Sequence, residues 1–192
     1  MGKVFPLIAD AALIPLDASY YSQCQVCNQT KPVYVTYGSA LLKGRKQRDK
    51  VFAACVTCFR DGKIEQVRDG LPLAQSVQEY IEAHFKRKPA KWLEAKRKDL
   101  IDKLERMPCH LPPLRQEMDW PLCCGELTEY VGSPANQKDL LSLSDLRAWN
   151  FGVDERSEEG IDFEDCPDEL LGDIAVFRCR KCGQHYIVFQ PT

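Results

Sequence analysis

The chain has 192 residues, of which 44% are hydrophobic and 28% are charged, and its formal net charge is −2. These values are typical of a soluble globular protein of one domain or two small ones. They exclude a membrane-spanning protein, because no stretch approaches the ~20 consecutive apolar residues of a span.

Ten cysteines are the unusual feature of the composition. A disulfide framework would require a secretion signal, and a usable signal needs an unbroken apolar run of roughly 7–15 residues. Pro6, Asp10 and Pro15 interrupt the apolar N-terminal segment. We therefore expect a cytoplasmic, reducing compartment, where paired cysteines more often hold metal than form disulfides.

The predicted elements begin with a strand between two cysteine pairs, at residues 32–37, where β-forming side chains are concentrated. Residues 41–50 are basic and typical of a turn. Residues 71–107 predict two helices separated by Pro89. In the first helix Leu73, Val77, Ile81 and Phe85 recur at a spacing of four, which predicts an apolar stripe in a core.

The C-terminal part mixes short elements. Residues 139–149 predict a short helix, residues 154–173 are acidic, and residues 174–189 predict a β-hairpin. Together the patterns predict an α+β fold of small zinc-ribbon-like β units with an inserted helical segment. The predicted organisation is an N-terminal zinc-binding unit (1–70), a helical segment (71–107) and a C-terminal zinc-binding unit (108–192), joined in one compact domain.

Two Cys-x-x-Cys turns predict a first metal site. Cys24 and Cys27 form one turn, and Cys55 and Cys58 form the other. Each turn presents two thiolates on one side of a tight loop, and two turns complete the sulfur tetrahedron of a closed structural zinc site. The 27 residues between the pairs exceed the commonest spacing, but a hairpin can fill them.

A second site is predicted nearer the C-terminus. Cys179-Arg-Lys-Cys182-Gly183 is typical of a zinc knuckle, and Cys123-Cys124-Gly125 would supply the other ligands. Two zinc ions per chain are therefore expected. Four other residues stay open as ligands of the second site: Cys109, His110, Cys166 and His185. In the simplest interpretation Cys109 and Cys166 are free thiols.

Five short motifs in order resemble the bacterial CbrC family, which is linked by name to colicin tolerance. They are Cys24-x-x-Cys27, Cys55-x-x-Cys58 followed by Phe-Arg-Asp-Gly, Arg106-Met-Pro108, the run from Trp120 to Gly132, and Phe177-Arg-Cys-Arg-Lys-Cys-Gly183. The resemblance implies metal binding, a bacterial setting and a role in toxin tolerance or immunity.

The chain also departs from that family. Many members carry His-Cys where Cys123-Cys124 stands here, which supports a ligand role for Cys123, since both residue types bind zinc. Several carry a further cysteine at the position of Thr128. The segment between the first site and Pro108 is longer and more basic here.

Catalytic signatures are absent from the sequence. The chain has three histidines (84, 110 and 185), and no phosphate loop, H-E-x-x-H motif, nucleophile elbow or deaminase signature. We therefore expect a non-enzymatic protein.

The helical segment favours the alternative function, that of a zinc-dependent nucleic-acid-binding or regulatory protein. Residues 86–106 hold nine Lys or Arg against four acids, with Trp92 among them. The simpler interpretation, which we prefer, is a solvated helix supported by Glu94–Lys98 and Asp99–Lys103 pairs.

The acidic segment favours a basic protein partner. Residues 154–173 hold ten carboxylates and one arginine, a charge that repels nucleic acid and attracts basic proteins. The leading hypothesis is therefore an immunity or tolerance protein that binds a basic partner such as a toxin. A solubilising loop explains the segment equally well. The predicted contacts are Glu158, Glu159, Glu164 and Asp165.

Overall fold

A computed structural model of the chain describes residues 2, 5–42, 50–66, 71–105, 120–143, 145–150, 153–155 and 168–189. It contains helices and several small sheets, so the α+β class is confirmed. The chain divides into two compact units. The smaller unit is built on Leu13–Asp69, and the larger unit combines Met1–Ala12, Gly70–Arg106 and Pro112–Thr192.

This division differs from the three predicted segments, because the helical segment groups with the C-terminal strands. The ring centre of Tyr80 in the helical segment, for example, lies 6.2 Å from that of Trp149 in β7 (Leu146–Asn150). Residues 1–12 join the same unit through a parallel bridge between Ile8 and Tyr130.

The smaller unit is a three-stranded antiparallel sheet in the order β2-β1-β3. Its elements are β1 (Val33–Leu42), β2 (Lys50–Cys55), α1 (Val56–Arg60) and β3 (Ile64–Gln66). The predicted strand is therefore present and extends further, and an antiparallel strand pair fills the interval between the cysteine pairs. The buried core of this unit is small and consists partly of cysteine: Cys24, Val33, Val51, Ala53, Ala54, Cys55 and Cys58.

The larger unit has a five-stranded sheet in the order β6-β9-β10-β7-β8, with β7 parallel to β10 and the other neighbours antiparallel. Phe177 in this sheet is fully buried, and its ring centre lies 5.0 and 5.6 Å from those of Trp120 and Tyr130. The strands are β6 (Glu129–Gly132), β7 (Leu146–Asn150), β8 (Val153–Glu155), β9 (Ile174–Arg178) and β10 (His185–Phe189), beside a separate hairpin of β4 (Leu122–Cys123) and β5 (Glu126–Leu127).

Two helices, α2 (Leu71–His84) and α3 (Ala90–Glu105), lie on either side of Pro89 as predicted. Val77 and Ile81 of the predicted stripe are buried, and Phe85 is half-buried just beyond α2. The described residues of this unit also contain three 3-10 helices: Asp10–Ala12, Lys138–Ser142 and Asp168–Asp173. Within the described residues, no helix combines the length and apolarity needed to cross a bilayer.

The helix predicted for residues 139–149 is wrong. A 3-10 helix occupies Lys138–Ser142, Asp145 adopts a positive φ of 64°, and β7 follows at Leu146–Asn150. The left-handed conformation at Asp145 ends any helical path. Pairing with β10 and β8 then decides the strand, because tertiary context overrides weak local propensity. The hairpin predicted for residues 174–189 is confirmed by β9 and β10.

Candidate metal centres

The first cysteine group lies in the smaller unit. Cys24 and Cys27 flank a turn before β1, Cys55 ends β2, and Cys58 lies one helical turn later in α1. Cys55 is the extended N-cap of α1, so the second Cys-x-x-Cys motif is a strand-to-helix junction and not the tight loop that the sequence predicted. Val33 pairs with Cys55 in the sheet register, which brings the start of β1 beside the second pair.

Gln25 holds the first turn against β2. Its backbone N–H donates to the Ala53 carbonyl at 3.1 Å, and its side-chain oxygen accepts from the N–H groups of Phe52 and Ala53 at 2.7 and 3.0 Å. Gln25, which lies between Cys24 and Cys27, therefore binds the strand that ends at Cys55.

The sulfur spacing fits a tetrahedral ion. Zn–S bonds of ~2.3 Å in a tetrahedron separate the sulfurs by roughly 3.8 Å. The Sγ atoms of Cys24 and Cys58 lie 3.8 Å apart, those of Cys27 and Cys55 lie 3.9 Å apart, and all four lie within 4.8 Å of one another. A disulfide would bring two sulfurs to ~2.05 Å, so these are four separate thiols around a common centre.

Backbone amides favour the thiolate form of Cys24. Burial alone would raise its pKa, but N–H groups of Cys55, Cys27 and Val26 lower the pKa of this thiol to about 7. The Cys55 N–H lies 3.3 Å from the sulfur. Because metal binds the thiolate, these donors prepare Cys24 as a ligand.

The second group lies in the larger unit and joins two hairpins. In the β4–β5 hairpin Cys123 pairs with Glu126, which leaves a two-residue turn of Cys124 and Gly125. Both turn residues have positive φ, 51° and 77°, as a type I′ turn requires. This turn lets adjacent cysteines serve one centre: Cys123 ends the strand, and Cys124 occupies the first turn position.

The other two cysteines, Cys179 and Cys182, lie in the turn between β9 and β10. The Sγ atoms of Cys123 and Cys182 are 3.5 Å apart and those of Cys123 and Cys124 are 3.8 Å apart. All four sulfurs lie within 4.8 Å of one another, so this group also could hold a metal ion.

The turns at residues 24–27 and 179–182 share one backbone pattern. In each, the first cysteine accepts from the N–H four residues later, at 2.8 Å for Asn28 and 2.9 Å for Gly183. In each, that cysteine also donates to the carbonyl five residues later, at 3.0 and 2.7 Å. Asn28 and Gly183 both have positive φ, of 56° and 80°. The two turns are thus the same local structure, although apart from the cysteines their sequences agree only in Gln29 and Gln184.

The two groups differ in exposure. Cys24, Cys55 and Cys58 are buried and Cys27 is half-buried. In the second group only Cys179 is buried, while Cys124 and Cys182 are exposed. Solvent and reagents therefore reach the second group more easily.

Helices α2 and α3 support the second group. The Gly125 N–H donates to the Tyr80 hydroxyl at 3.1 Å, and the Phe85 ring packs against Gly125 so closely that a Cβ there would lie 3.1 Å from it. Lys96 and Lys103 reach Glu126 at 2.7 and 3.0 Å. The turn that carries Cys124 is therefore held by a buried hydrogen bond on one side and by two ion pairs on the other.

Glu129 anchors the knuckle of the second group. Its side chain is buried, and Arg178 and Arg180, which flank Cys179, reach it at 2.9 and 3.4 Å. Burial alone would raise its pKa, but the Arg178 hydrogen bond and the Arg180 charge lower the pKa of Glu129 below its usual value. Nothing in the sequence around Glu129 signalled this role, because its partners lie 49 and 51 residues away.

The structure brings together the cysteines of both predicted sites: Cys24, Cys27, Cys55 and Cys58 in one group, and Cys123, Cys124, Cys179 and Cys182 in the other. His185, an open candidate, lies in β10 and belongs to neither group. The remaining candidates fall outside the described residues: Cys109, His110, Cys166, Glu158, Glu159, Glu164 and Asp165.

The sequence pattern of the uncharacterised protein family UPF0167 matches residues 15–190. No curated protein and no solved structure shows a significant match to the chain. The resemblance to the CbrC family stays a prediction. Because the UPF0167 match extends over nearly the whole chain and includes both cysteine groups, the protein belongs to the UPF0167 family.

Proposed function

We propose that the protein is a non-enzymatic zinc-binding protein in which each cysteine group holds one structural Zn²⁺. The observation that supports this most directly is the set of sulfur separations, 3.5–3.9 Å between neighbouring thiols in both groups. Four sulfur ligands in a tetrahedron favour zinc or iron over magnesium or calcium, which take oxygen ligands.

A structural role follows from the ligand count. Four thiolates complete the zinc shell, whereas catalytic zinc keeps one position for water or substrate. Among the described residues of the smaller unit, the buried core contains three of the ligands beside four small apolar residues, so metal binding would supply much of its folding energy. Each group unites two cysteine pairs from separate segments, which supports the description of both β units as zinc-ribbon-like. The second group joins two hairpin turns, and the first joins one turn to the junction of β2 and α1.

The partner is a separate question. Binding of a basic protein, such as a toxin, through Glu158, Glu159, Glu164 and Asp165 rests on charge in the sequence alone, and these residues lie outside the described part of the chain. Reversal of the four carboxylates to Lys would weaken such binding and leave zinc content unchanged. A pull-down at two salt concentrations would measure it.

Elemental analysis of the purified protein tests the metal proposal. We expect two zinc ions per chain, each bound with about 10–16 kcal/mol, so that chelation unfolds the smaller unit. One zinc ion would remove one of the sites, and iron or no stoichiometric metal would overturn the zinc assignment.

Ligand substitutions assign the ions to the two groups. Cys24→Ser or Cys55→Ser should remove one zinc and the folding of the smaller unit, because each leaves an incomplete shell. Cys109→Ser and Cys166→Ser, the predicted free thiols, are the controls and should retain both ions. Zinc loss in the Cys109→Ser variant would contradict this ligand set.

A further inference from the structure

The surface around the start of α3 carries positive charge that the described residues do not neutralise. Residues 86–98 hold seven Lys or Arg and one Glu, a net charge of +6. Five exposed cations of this set form no ion pair with a carboxylate in the described part of the chain: Lys86, Arg87, Lys91, Arg97 and Lys98. The predicted ion pair between Glu94 and Lys98 is therefore not present there.

Lys96 shows how a structural lysine behaves in the same helix. It is half-buried and pairs with Glu126 at 2.7 Å and with Asp99 at 3.8 Å. The predicted pair of Asp99 and Lys103 is also present, at 2.7 Å. These ion pairs thus lie on the side of α3 that faces the β4–β5 hairpin. The five cations named above take no part in them and have no ion-pair partner in the described part of the chain.

An exposed aromatic ring lies among these cations. Trp92 is 39% exposed, its ring centre lies 5.3 Å from that of Phe85, and the Lys88 ammonium lies 5.6 Å from the ring centre. Phe85 holds one side of the indole, so the ring is supported while part of it remains accessible. In proteins that bind single-stranded nucleic acid, exposed aromatic rings stack on unpaired bases and neighbouring cations bind the phosphates.

Helix stability does not explain where these charges are. The first turn of α3 contains no acid, and Lys91 and the preceding Lys86, Arg87 and Lys88 lie near its N-terminus. Cations at the N-terminal end of a helix interact unfavourably with its dipole and destabilise it, whereas acidic side chains there would stabilise the helix. The same arrangement raises the positive potential of the surface and so strengthens attraction to phosphate.

We propose that residues 86–98 form a binding surface for single-stranded nucleic acid, with the exposed cations on phosphates and Trp92 stacked on a base. The indole favours single strands because bases in a duplex are already stacked on each other. This proposal goes beyond the metal proposal and is independent of which metal the cysteines hold.

Fluorescence anisotropy with labelled 12-nucleotide oligo-dT and oligo-U tests it on the full, metal-loaded chain. We expect binding that weakens with salt, with a log–log slope of about −0.7 for each phosphate neutralised, or roughly −3.5 for five cations. Trp92→Ala should weaken binding about 5–100-fold, and Trp92→Phe should restore part of the loss.

A matched pair of charge variants separates the surface from the net charge. Lys91→Glu with Lys98→Glu should weaken binding at least about tenfold, and the fold should persist because a carboxylate in the first turn of α3 would favour the helix dipole. Lys31→Glu with Lys50→Glu makes the same charge change at exposed lysines of the smaller unit and should have less than about a twofold effect.

Four outcomes would overturn the proposal: no binding at low salt, equal weakening by both charge pairs, full binding by Trp92→Ala, or equal affinity for duplex DNA or poly-glutamate. Zinc content measured on every variant keeps this result separate from the metal proposal. A variant with two zinc ions and lost binding supports the surface.

Discussion

The backbone N–H of Gly125 donates a buried hydrogen bond to the phenolic oxygen of Tyr80, 3.1 Å away. Tyr80 belongs to α2, and Gly125 belongs to the two-residue turn that also contains Cys124. This bond therefore connects the helical segment to a turn that carries a candidate metal ligand far along the chain. It makes the helices part of the second centre although they supply no thiol.

Tyr80→Phe should weaken metal binding at the second centre about tenfold. The substitution leaves the Gly125 N–H without its acceptor, and loss of such supporting contacts typically costs 10–100-fold in metal affinity. Competition with a colorimetric chelator would measure it, with the first centre as an internal reference. Tyr20→Phe, at a position 78% exposed, should leave both affinities unchanged. Equal behaviour of the two variants would contradict this role for Tyr80.

Gly125→Ala should destabilise the larger unit more than Gly183→Ala. Both glycines have positive φ, so each alanine carries a strain of about 1 kcal/mol. A Cβ at position 125 would also lie 3.1 Å from the Phe85 ring, whereas nothing lies within 4 Å of one at position 183. Urea unfolding would measure both variants. Adding Phe85→Leu to Gly125→Ala should recover part of the extra loss of stability. Equal destabilisation by the two alanine substitutions would contradict a steric role for the Phe85 ring.

The second centre should lose its metal before the first. Cys124 and Cys182 are exposed, whereas Cys24 and Cys58 are buried. With a thiol-alkylating reagent and a chelator present together, mass spectrometry should detect modified Cys124 and Cys182 earlier than modified Cys24 and Cys58. If the buried thiols reacted first or all four together, exposure would not control metal release.

Glu129→Gln should destabilise the larger unit by about 1–3 kcal/mol, because it removes the charge that binds Arg178 and Arg180. The folded pKa of Glu129 is lowered, so its contribution is fully present above the unfolded pKa near 4.5 and is lost as pH falls through the folded value. Urea unfolding at about pH 8 and about pH 5 should therefore give the same difference from the wild type.

Glu94→Gln provides the control for that measurement. Glu94 is exposed and forms no ion pair in the described part of the chain, so its substitution should change stability by less than about 0.5 kcal/mol. A Glu129 effect that shrinks between pH 8 and pH 5 would contradict the lowered pKa.

Local patterns predicted much of the candidate site. Two of the three Cys-x-x-Cys motifs fold as tight turns with the same hydrogen bonds, around Cys24 and Cys179. The third differs, because Cys55 ends β2 and Cys58 lies in α1. Spacing-four apolar residues and Pro89 likewise predicted α2 and α3, because helix periodicity and proline act within a few residues.

Adjacent cysteines were harder to interpret. The sequence left the second ligand set open between Cys123, Cys109, Cys166 and two histidines. The type I′ turn at Cys124 and Gly125 gives Cys123 and Cys124 different positions at one centre. The sequence pattern does not predict this arrangement, because the arrangement depends on a positive φ at Cys124 and cysteine rarely adopts a positive φ.

What the sequence by itself determined is the set of short-range turns, the two helices and the pairing of Cys24 and Cys27 with Cys55 and Cys58. Only the tertiary structure decided that residues 146–150 form a strand rather than a helix and that Tyr80 and Glu126 support the second centre. It also decided that Lys96 forms an ion pair whereas Lys91 forms none with the residues that the structure describes. The physical reason is range. Turn and helix preferences are set by neighbours in the chain, whereas strand pairing, burial and ion pairs depend on residues that only folding brings together.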